Sequence, residues 1–362
     1  MLFFKNLYEK QKSFAIIFTV HVPVQISFGG KTMIFKCKNC GGNAIYSPEK
    51  KMIVCPFCES ENSYVRKDKE TTYGLEVCPE CGGTIPVEQY DSAMKCPYCD
   101  NSVIFNPRVE GEYLPKFVIP FELGKEHTKN LIRERFKKFK FAPADFLSEA
   151  RLDSMQGVYV PFWFYDYKTR AIFEGEGTKV RSWTSGSYRY TETSYYAVVR
   201  DMSIPYEKLP ADASIKMPDS IMDLMEPYDY TKLTDFQPEY LSGFNAEYYN
   251  MPAEEIENRA KQKMENSATQ ILKGTISGYT TLRETRKQIA VLDRNTDYGL
   301  MPVWRYVYEY QKKEYPFYVN GETGKIVGTA PLSKGKVWFY SATLWFLLTV
   351  LLASINGILG LI

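Results

Sequence analysis

"CKNCGGNAIYSPEKKMIVCPFC" spans residues 37–58, and "CPECGGTIPVEQYDSAMKCPYC" spans residues 78–99. Each reads C-x2-C-x14-C-x2-C, and all eight cysteines of the chain fall in these two frames. A C-x2-C turn aims two thiolates at one point, and two such turns joined by a short hairpin supply four soft ligands in a tetrahedron. The spacing predicts two small zinc ribbons. Cys37, Cys40, Cys55 and Cys58 hold the first ion, and Cys78, Cys81, Cys96 and Cys99 the second. Zinc is preferred over iron because nothing here demands redox chemistry. Four protein ligands leave no open position, so both sites are expected to be structural. The glycine after Cys40 and after Cys81 suits a left-handed turn that points N–H groups at sulfur. Glu59 and Asp100 take that place in the second turn of each frame, so those turns are expected to be looser.

The ribbons carry little positive charge. Across 36–60, Lys36, Lys38, Lys50 and Lys51 face Glu49 and Glu59. Across 78–100, Glu80, Glu88, Asp91 and Asp100 face Lys95 alone. Four thiolates on a divalent ion make each site more negative still. Phosphate recognition needs several basic residues on one face, so protein-binding or spacer ribbons are expected rather than nucleic-acid ribbons. The formal net charge of +2 adds no global field. With only His21 and His127 in the chain, His-based catalysis is not expected.

From Val337 to Ile362 no residue is charged. A helix of this length exceeds a hydrocarbon core of about 30 Å. Lys334 and Lys336 precede it, so the positive-inside rule places the bulk of the chain in the cytoplasm, with 337–362 as a single-pass tail anchor in the cell membrane. A cytoplasmic setting also argues against disulfides. Ala353 and Gly357 form a small-x-x-x-small pair with Asn356 beside them, a pattern that favours helix–helix contact. At the other end, "SFAIIFTVHVPVQISF" (13–28) is apolar but short and interrupted by His21 and Pro23. Two glycine codons before Lys31 would read as a ribosome-binding site. We therefore expect Met33 to be the true start and residues 1–32 to be over-called translation.

Ribbon 1 is expected over 34–62, ribbon 2 over 75–104, and an α+β domain over 109–335. A helix is expected near Glu126–Lys140 with Leu131, Ile132, Phe136 and Phe139 as its apolar stripe. Lys137, Lys138 and Lys140 then read as a solvated C-terminal face. The run 157–177 reads as a strand, and 180–201 reads as a hairpin turning at Ser185–Gly186. A second helix should be capped by Asn250, carry Pro252 in its first turn and end at Gly274. Ile256, Ala260, Met264, Ala268 and Ile271 should line its buried face. A meander follows, with turns at Lys312–Lys313 and Asn320–Gly324. Pro161, Trp163, Tyr165 and Tyr167 match Pro302, Trp304, Tyr306 and Tyr308 at a constant offset. We expect two related halves, each a helix before a twisted antiparallel sheet, packed through these aromatics. Catalytic signatures are missing: there is no G-x-x-x-x-G-K-[ST], no G-x-G-x-x-G opening a helix and no G-x-S-x-G. No catalytic or cofactor-binding residue is assigned, and no enzyme is expected. The acidic residues of 200–240 have no evident partners in the sequence.

The double ribbon, "FVIPFELGKE", "GVYVPFWFYD", "YRYTETSYYAVVRD", "PADASIKMPDSIMDLMEPYDY", "LSGFNAEYY", "LMPVW" and "NGETGKIVG" together resemble the bacterial TFIIB-type double-zinc-ribbon membrane proteins of Firmicutes, often labelled primosomal or helicase-like. The resemblance runs from about Phe35 onward. The missing nucleotide-binding loop gives the helicase label no support. The resemblance implies a membrane anchor for an SPFH (flotillin-like) protein and for phage-shock protein A during envelope stress. The expected function is therefore a membrane-anchored cytoplasmic scaffold that recruits protein partners. A membrane-tethered nucleic-acid-binding ribbon protein and a redox-sensitive zinc chaperone are the alternatives.

Overall fold

The computed structural model describes residues 31–70 and 76–359. The segment expected to be over-called therefore lies almost wholly outside the described residues; Lys31 and Thr32 open the first strand, and Thr32 is buried.

The ribbon region contributes β1 (Lys31–Cys37), β2 (Ile45–Ser47), β3 (Met52–Val54), β4 (Tyr64–Glu70), β5 (Asp91–Lys95) and β6 (Ser102–Phe105). The body then runs through β7 (Phe117–Val118), α1 (Lys125–Phe136), α2 (Glu149–Leu152), β8 (Gln156–Ser185), β9 (Tyr188–Asp212), α3 (Asp219–Met225), β10 (Thr234–Asp235) and β11 (Asn245–Glu247). It closes with α4 (Ala253–Gly274), β12 (Thr281–Tyr310), β13 (Lys313–Asn320), β14 (Ile326–Gly328) and α5 (Lys334–Leu359).

One sheet passes through both regions in the order β10-β7-β12-β8-β11-β5-β6-β1-β4, with β9 on β8 and β13–β14 on β12. The ribbons are thus built into the sheet and not strung before it as beads. β11 is the joint, parallel to β8 on one side and antiparallel to β5 on the other. β1 is buried on both faces because it lies in the middle of the ribbon assembly. Met33 and Phe35 join the body core with Tyr159, Phe244 and Trp304, while Ile34 packs with Cys78, Cys96 and Phe105.

The segment Leu241–Phe244 clamps the two ribbons to the body. Tyr46 N–H donates to Ser242 O at 3.0 Å, Ser242 Oγ donates to Ala44 O at 2.7 Å, and Gly243 N–H donates to Ser102 Oγ at 2.9 Å. Phe244 stacks on Phe121 at 4.2 Å. Gly243 has φ +97°, and a Cβ there would meet Ile45 at 3.2 Å, so glycine is needed for both conformation and space.

β8 and β12 pair antiparallel along most of their length, with Val160 opposite Met301. Their alternation serves two cores. Val160, Phe162, Phe164, Met301 and Val303 face Met217, Met222 and Met225 around α3. On the other face Trp163, Tyr165 and Tyr167 pack with Ile256, Ala260 and Met264 of α4, whereas Trp304, Tyr306 and Tyr308 share a core with Ile132 of α1. The aromatic stripes are core. Each helix lies on the hairpin that the chain order does not place next to it: α4 covers β8–β9, and α1 covers β12–β13 through Phe136 against Phe317.

Local expectations are refined at their ends. α1 stops at Phe136, so Phe139 lies beyond it and is 40% exposed. α4 begins after Pro252; the Asn250 side chain instead accepts the Ile215 N–H at 2.8 Å. Leu272 replaces Ile271 on the buried face, because the i+4 series from Ile256 lands on it. The β12–β13 turn is Gln311–Lys312, with φ +53° and +60°, the pair of left-handed residues that a tight two-residue turn requires. The β8–β9 turn is Gly186–Ser187, between the paired Ser185 and Tyr188 and one residue past the expected position, and the Asn320–Gly324 turn lies where expected. Alongside α3, the 200–240 region contains two short 3-10 turns, Tyr230–Lys232 and Pro238–Leu241.

Candidate metal centres

Each frame brings its four sulfurs within 4.8 Å of one another. Cys37 Sγ lies 3.6 Å from Cys58 Sγ, and Cys40 Sγ 3.5 Å from Cys55 Sγ. In the second frame the matching distances are 3.6 Å for Cys78–Cys99 and 3.8 Å for Cys81–Cys96. A tetrahedron with metal–sulfur bonds of about 2.3 Å has edges of about 3.8 Å, so both clusters fit a metal ion. They do not fit disulfides, whose sulfurs lie about 2.05 Å apart, and all eight cysteines are free.

All four C-x2-C turns close the same way. Gly41, Glu59, Gly82 and Asp100 each donate a backbone N–H to the carbonyl of the first cysteine of their turn, at 2.8–3.0 Å. Their φ values are +75°, +59°, +72° and +58°. The second turn of each frame therefore has the same conformation as the first, and Glu59 and Asp100 hold it at a steric cost of about 1–2 kcal/mol each. Asn39 N–H and Gly42 N–H donate to Cys37 Sγ and Cys40 Sγ at 3.3 and 3.4 Å.

The structure adds two further pairs at the cysteine offset. Ser60 Oγ lies 3.0 Å from Cys37 Sγ and 3.2 Å from Cys58 Sγ, while the matching Asn101 donates from Nδ2 to Cys99 Sγ at 3.2 Å. Phe57 and Tyr98 lay their rings on Gly42 and Gly83, where any Cβ would meet a ring carbon at 2.6 Å. Both pairs were open to detection, since each occupies the same place in the two frames.

These contacts split the acidity of the thiols. The Ser60 hydroxyl, with backbone N–H groups, holds Cys37 down at about 6. Although the Gly42 N–H lowers Cys40, its contacts with Cys55 and Cys58 push it up to about 12. Burial pushes Cys78 to about 12. For Cys99 burial is outweighed by the Asn101 N–H donors, which bring it to about 7.

Ribbon charges are spent internally. Lys36 is buried between the ribbons, reaching Asn43 Oδ1 at 3.1 Å, Asn101 Oδ1 at 3.4 Å and Glu80 at 3.1 Å. Lys51 reaches Glu122 of the body at 2.6 Å. On ribbon 2, Glu88 and Asp91 lie 2.7 and 2.9 Å from Lys216.

Four acidic residues of 200–240 have partners on α4, and Asp201 pairs with Arg170 of β8 at 2.6 Å. Arg259 lies within 2.6–3.1 Å of Asp212, Asp219 and Asp223, and Lys263 within 2.7–2.9 Å of Asp223 and Glu226. A third acidic group, Glu126, Glu149 and Asp153, surrounds the buried ammonium of Lys129, which occupies the place a metal would take.

The uncharacterized protein YdjG of Bacillus subtilis (strain 168) is 35% identical over 315 residues, which cover 84% of this chain and 92% of that protein. The chain belongs to the YdjG family. No family model matches it, and no solved structure does.

The window Lys334–Ser354 of α5 is long and apolar enough to cross a membrane, with a mean hydropathy of 1.7 and none of it buried. Ala353 is exposed on this helix; Asn356 and Gly357 also belong to it, but their side chains lie outside the described part.

Proposed function

We propose that the protein is a membrane-anchored cytoplasmic scaffold whose two zinc ribbons stiffen one end of a recruiting platform. The observation that carries the reading is α5: Trp338, Phe339, Trp345 and Phe346 are 61–74% exposed on a helix without acidic residues, surface that water would not tolerate and a bilayer would cover. With Lys334 and Lys336 in its first turn, at the end nearer the body, the body falls on the cytoplasmic side. The ribbon ions, when bound as zinc, supply a four-thiolate crosslink and no open coordination position.

The recruiting surface in this reading is the far part of the β8–β9–β12 arm. It carries a stacked Trp183–Tyr190 pair, with Arg181 over Trp183 and Lys179 over Tyr196 and Tyr279. Tyr188 and Tyr195 are also exposed there. The SPFH protein and phage-shock protein A implied by the family resemblance are the first partners to test. The deciding experiment is a membrane pull-down from native cells, comparing wild type with a Cys40→Ser/Cys81→Ser chain and with Trp183→Ala. Protein partners lost in the variants support the scaffold; unchanged recovery in both removes it. Gly357→Leu tests the helix contact through Ala353, Asn356 and Gly357, and undiminished self-association in that variant counts against it.

A second reading, a tethered nucleic-acid binder, draws on the same arm. Lys179 and Arg181 beside the stacked Trp183–Tyr190 pair on one sheet face form the kind of platform on which unpaired bases stack. Nucleic acid in the eluate, released steeply by salt, would favour it.

The body reads as two related halves exchanging helices. Val160 and Met301 match at the constant offset and pair with each other. Ala213 N–H donates to Pro161 O, and Gly321 N–H donates to Pro302 O, both at 2.9 Å. An experimental structure in which residues 157–167 fail to superpose on 298–308 would end this reading.

A further inference from the structure

Lys137, Lys138 and Lys140 read from sequence as a solvated helix end. The fold carries them to the root of α5. Ser333 N–H donates to Phe141 O at 2.8 Å, Lys336 Nζ donates to Ala142 O at 2.7 Å, and Phe141 meets Tyr340 edge to face at 5.4 Å. Between the two segments lies a groove of about 300 Å³ lined by Lys140, Phe141, Gly335, Lys336, Phe339 and Tyr340.

Charge and apolar surface coincide there. Lys138, Lys140, Lys334 and Lys336 are exposed, and the first-turn N–H groups of a helix add partial positive charge. Lys137 is committed to Glu134. Lys336 spends one proton on Ala142 and keeps two others. Beside these cations Phe139, Leu332, Trp338 and Phe339 are 40–74% exposed. A solvated basic face explains the lysines but not the apolar side chains among them.

One ligand meets both demands. We propose that this groove binds an anionic phospholipid. Its headgroup phosphate lies among Lys140, Lys336 and the α5 N-terminus, and its first acyl carbons lie along Phe339 and Tyr340. The proposal rests on the membrane reading of α5. It adds that the leaflet is recognised chemically as well as spanned, in the manner of basic residues at a membrane surface.

The test uses the full chain reconstituted in phosphatidylcholine bilayers containing trace spin-labelled phosphatidylglycerol or spin-labelled phosphatidylcholine. Electron paramagnetic resonance reads the fraction of each that the protein immobilises. Phosphatidylglycerol should associate about fivefold more strongly, the worth of one lysine near an anionic surface. Lys138→Glu/Lys140→Glu should bring the ratio to about 1 with unchanged insertion, and Lys336→Glu, on the other wall, should lower it alone. Excess inorganic phosphate should leave the ratio unchanged. Equal association of both lipids in the wild type, or a ratio indifferent to all three substitutions, overturns the proposal and leaves the anchor standing. Loss of the preference in inorganic phosphate would mark a free-anion site and overturn it too. Protein left in solution with no immobilised lipid would sink the membrane reading and this proposal together.

Discussion

Trp163 and Trp304 make the same hydrogen bond. The Trp163 indole donates to Met251 O and the Trp304 indole to Leu123 O, each at 2.9 Å and each two residues before a helix, α4 and α1 respectively. An indole that both fills a core and fixes a helix entry loses two things on replacement. Trp304→Phe should cost about 1 kcal/mol for the hydrogen bond and more for lost packing. Trp163→Phe should cost less, since Trp163 is half-buried and Trp304 buried. Urea denaturation of the two variants checks the order.

Cys55→Ser should do more than halve the bound metal. Met33 and Phe35 of β1 share the body core, and the Leu241–Phe244 clamp holds ribbon 1 through Ala44 and Tyr46. Loss of the first site should therefore lower the melting temperature of the whole chain. Elemental analysis beside calorimetry reads both quantities. An unchanged main transition with one ion lost would mean that ribbon 1 folds as a separate bead.

Left-handed positions give substitutions of opposite sign. Glu59→Gly and Asp100→Gly should each stabilise by about 1 kcal/mol, since both residues are exposed at φ near +60°. Gly243→Ala should destabilise by about 1–2 kcal/mol, from φ +97° and crowding against Ile45. Thermal melts of the metal-loaded variants decide, and a destabilised Glu59→Gly chain would show that its side chain does something the turn needs.

Burial pushes the Asp212 carboxyl up to about 6, although Arg259 Nη1 lies 2.6 Å from Oδ1. That contact is an ion pair without directed hydrogen-bond geometry, so desolvation prevails. The folded chain keeps a proton that an unfolded Asp releases near pH 3.9. This group's contribution to stability is therefore fully present below about pH 4, falls as pH rises to about 6 and is level above that, by about 3 kcal/mol at most. Asn320 holds the matching place in the second hairpin, where its side chain donates to Met225 O at 3.1 Å. Asp212→Asn should remove this slope, as denaturant midpoints at pH 4.5 and 7 would show; a slope that persists would assign it to other carboxyls.

By itself the sequence determined what depends on neighbours a few residues apart. Cysteine spacing set the two clusters, apolar run length set α5, and periodicity with turn residues set α4 and the β8–β9 hairpin. Each of these rests on local geometry: a turn, a rise per residue or a two-residue alternation. Contacts between distant segments carry no such signature, and only the tertiary structure decided them. It joined the ribbons to the body through β11 and Ser242, gave Asp212 and Asp223 their partner in Arg259, and placed each helix on the other hairpin. It also carried Lys140 beside Lys336, because Phe141 gains more against Tyr340 than in water.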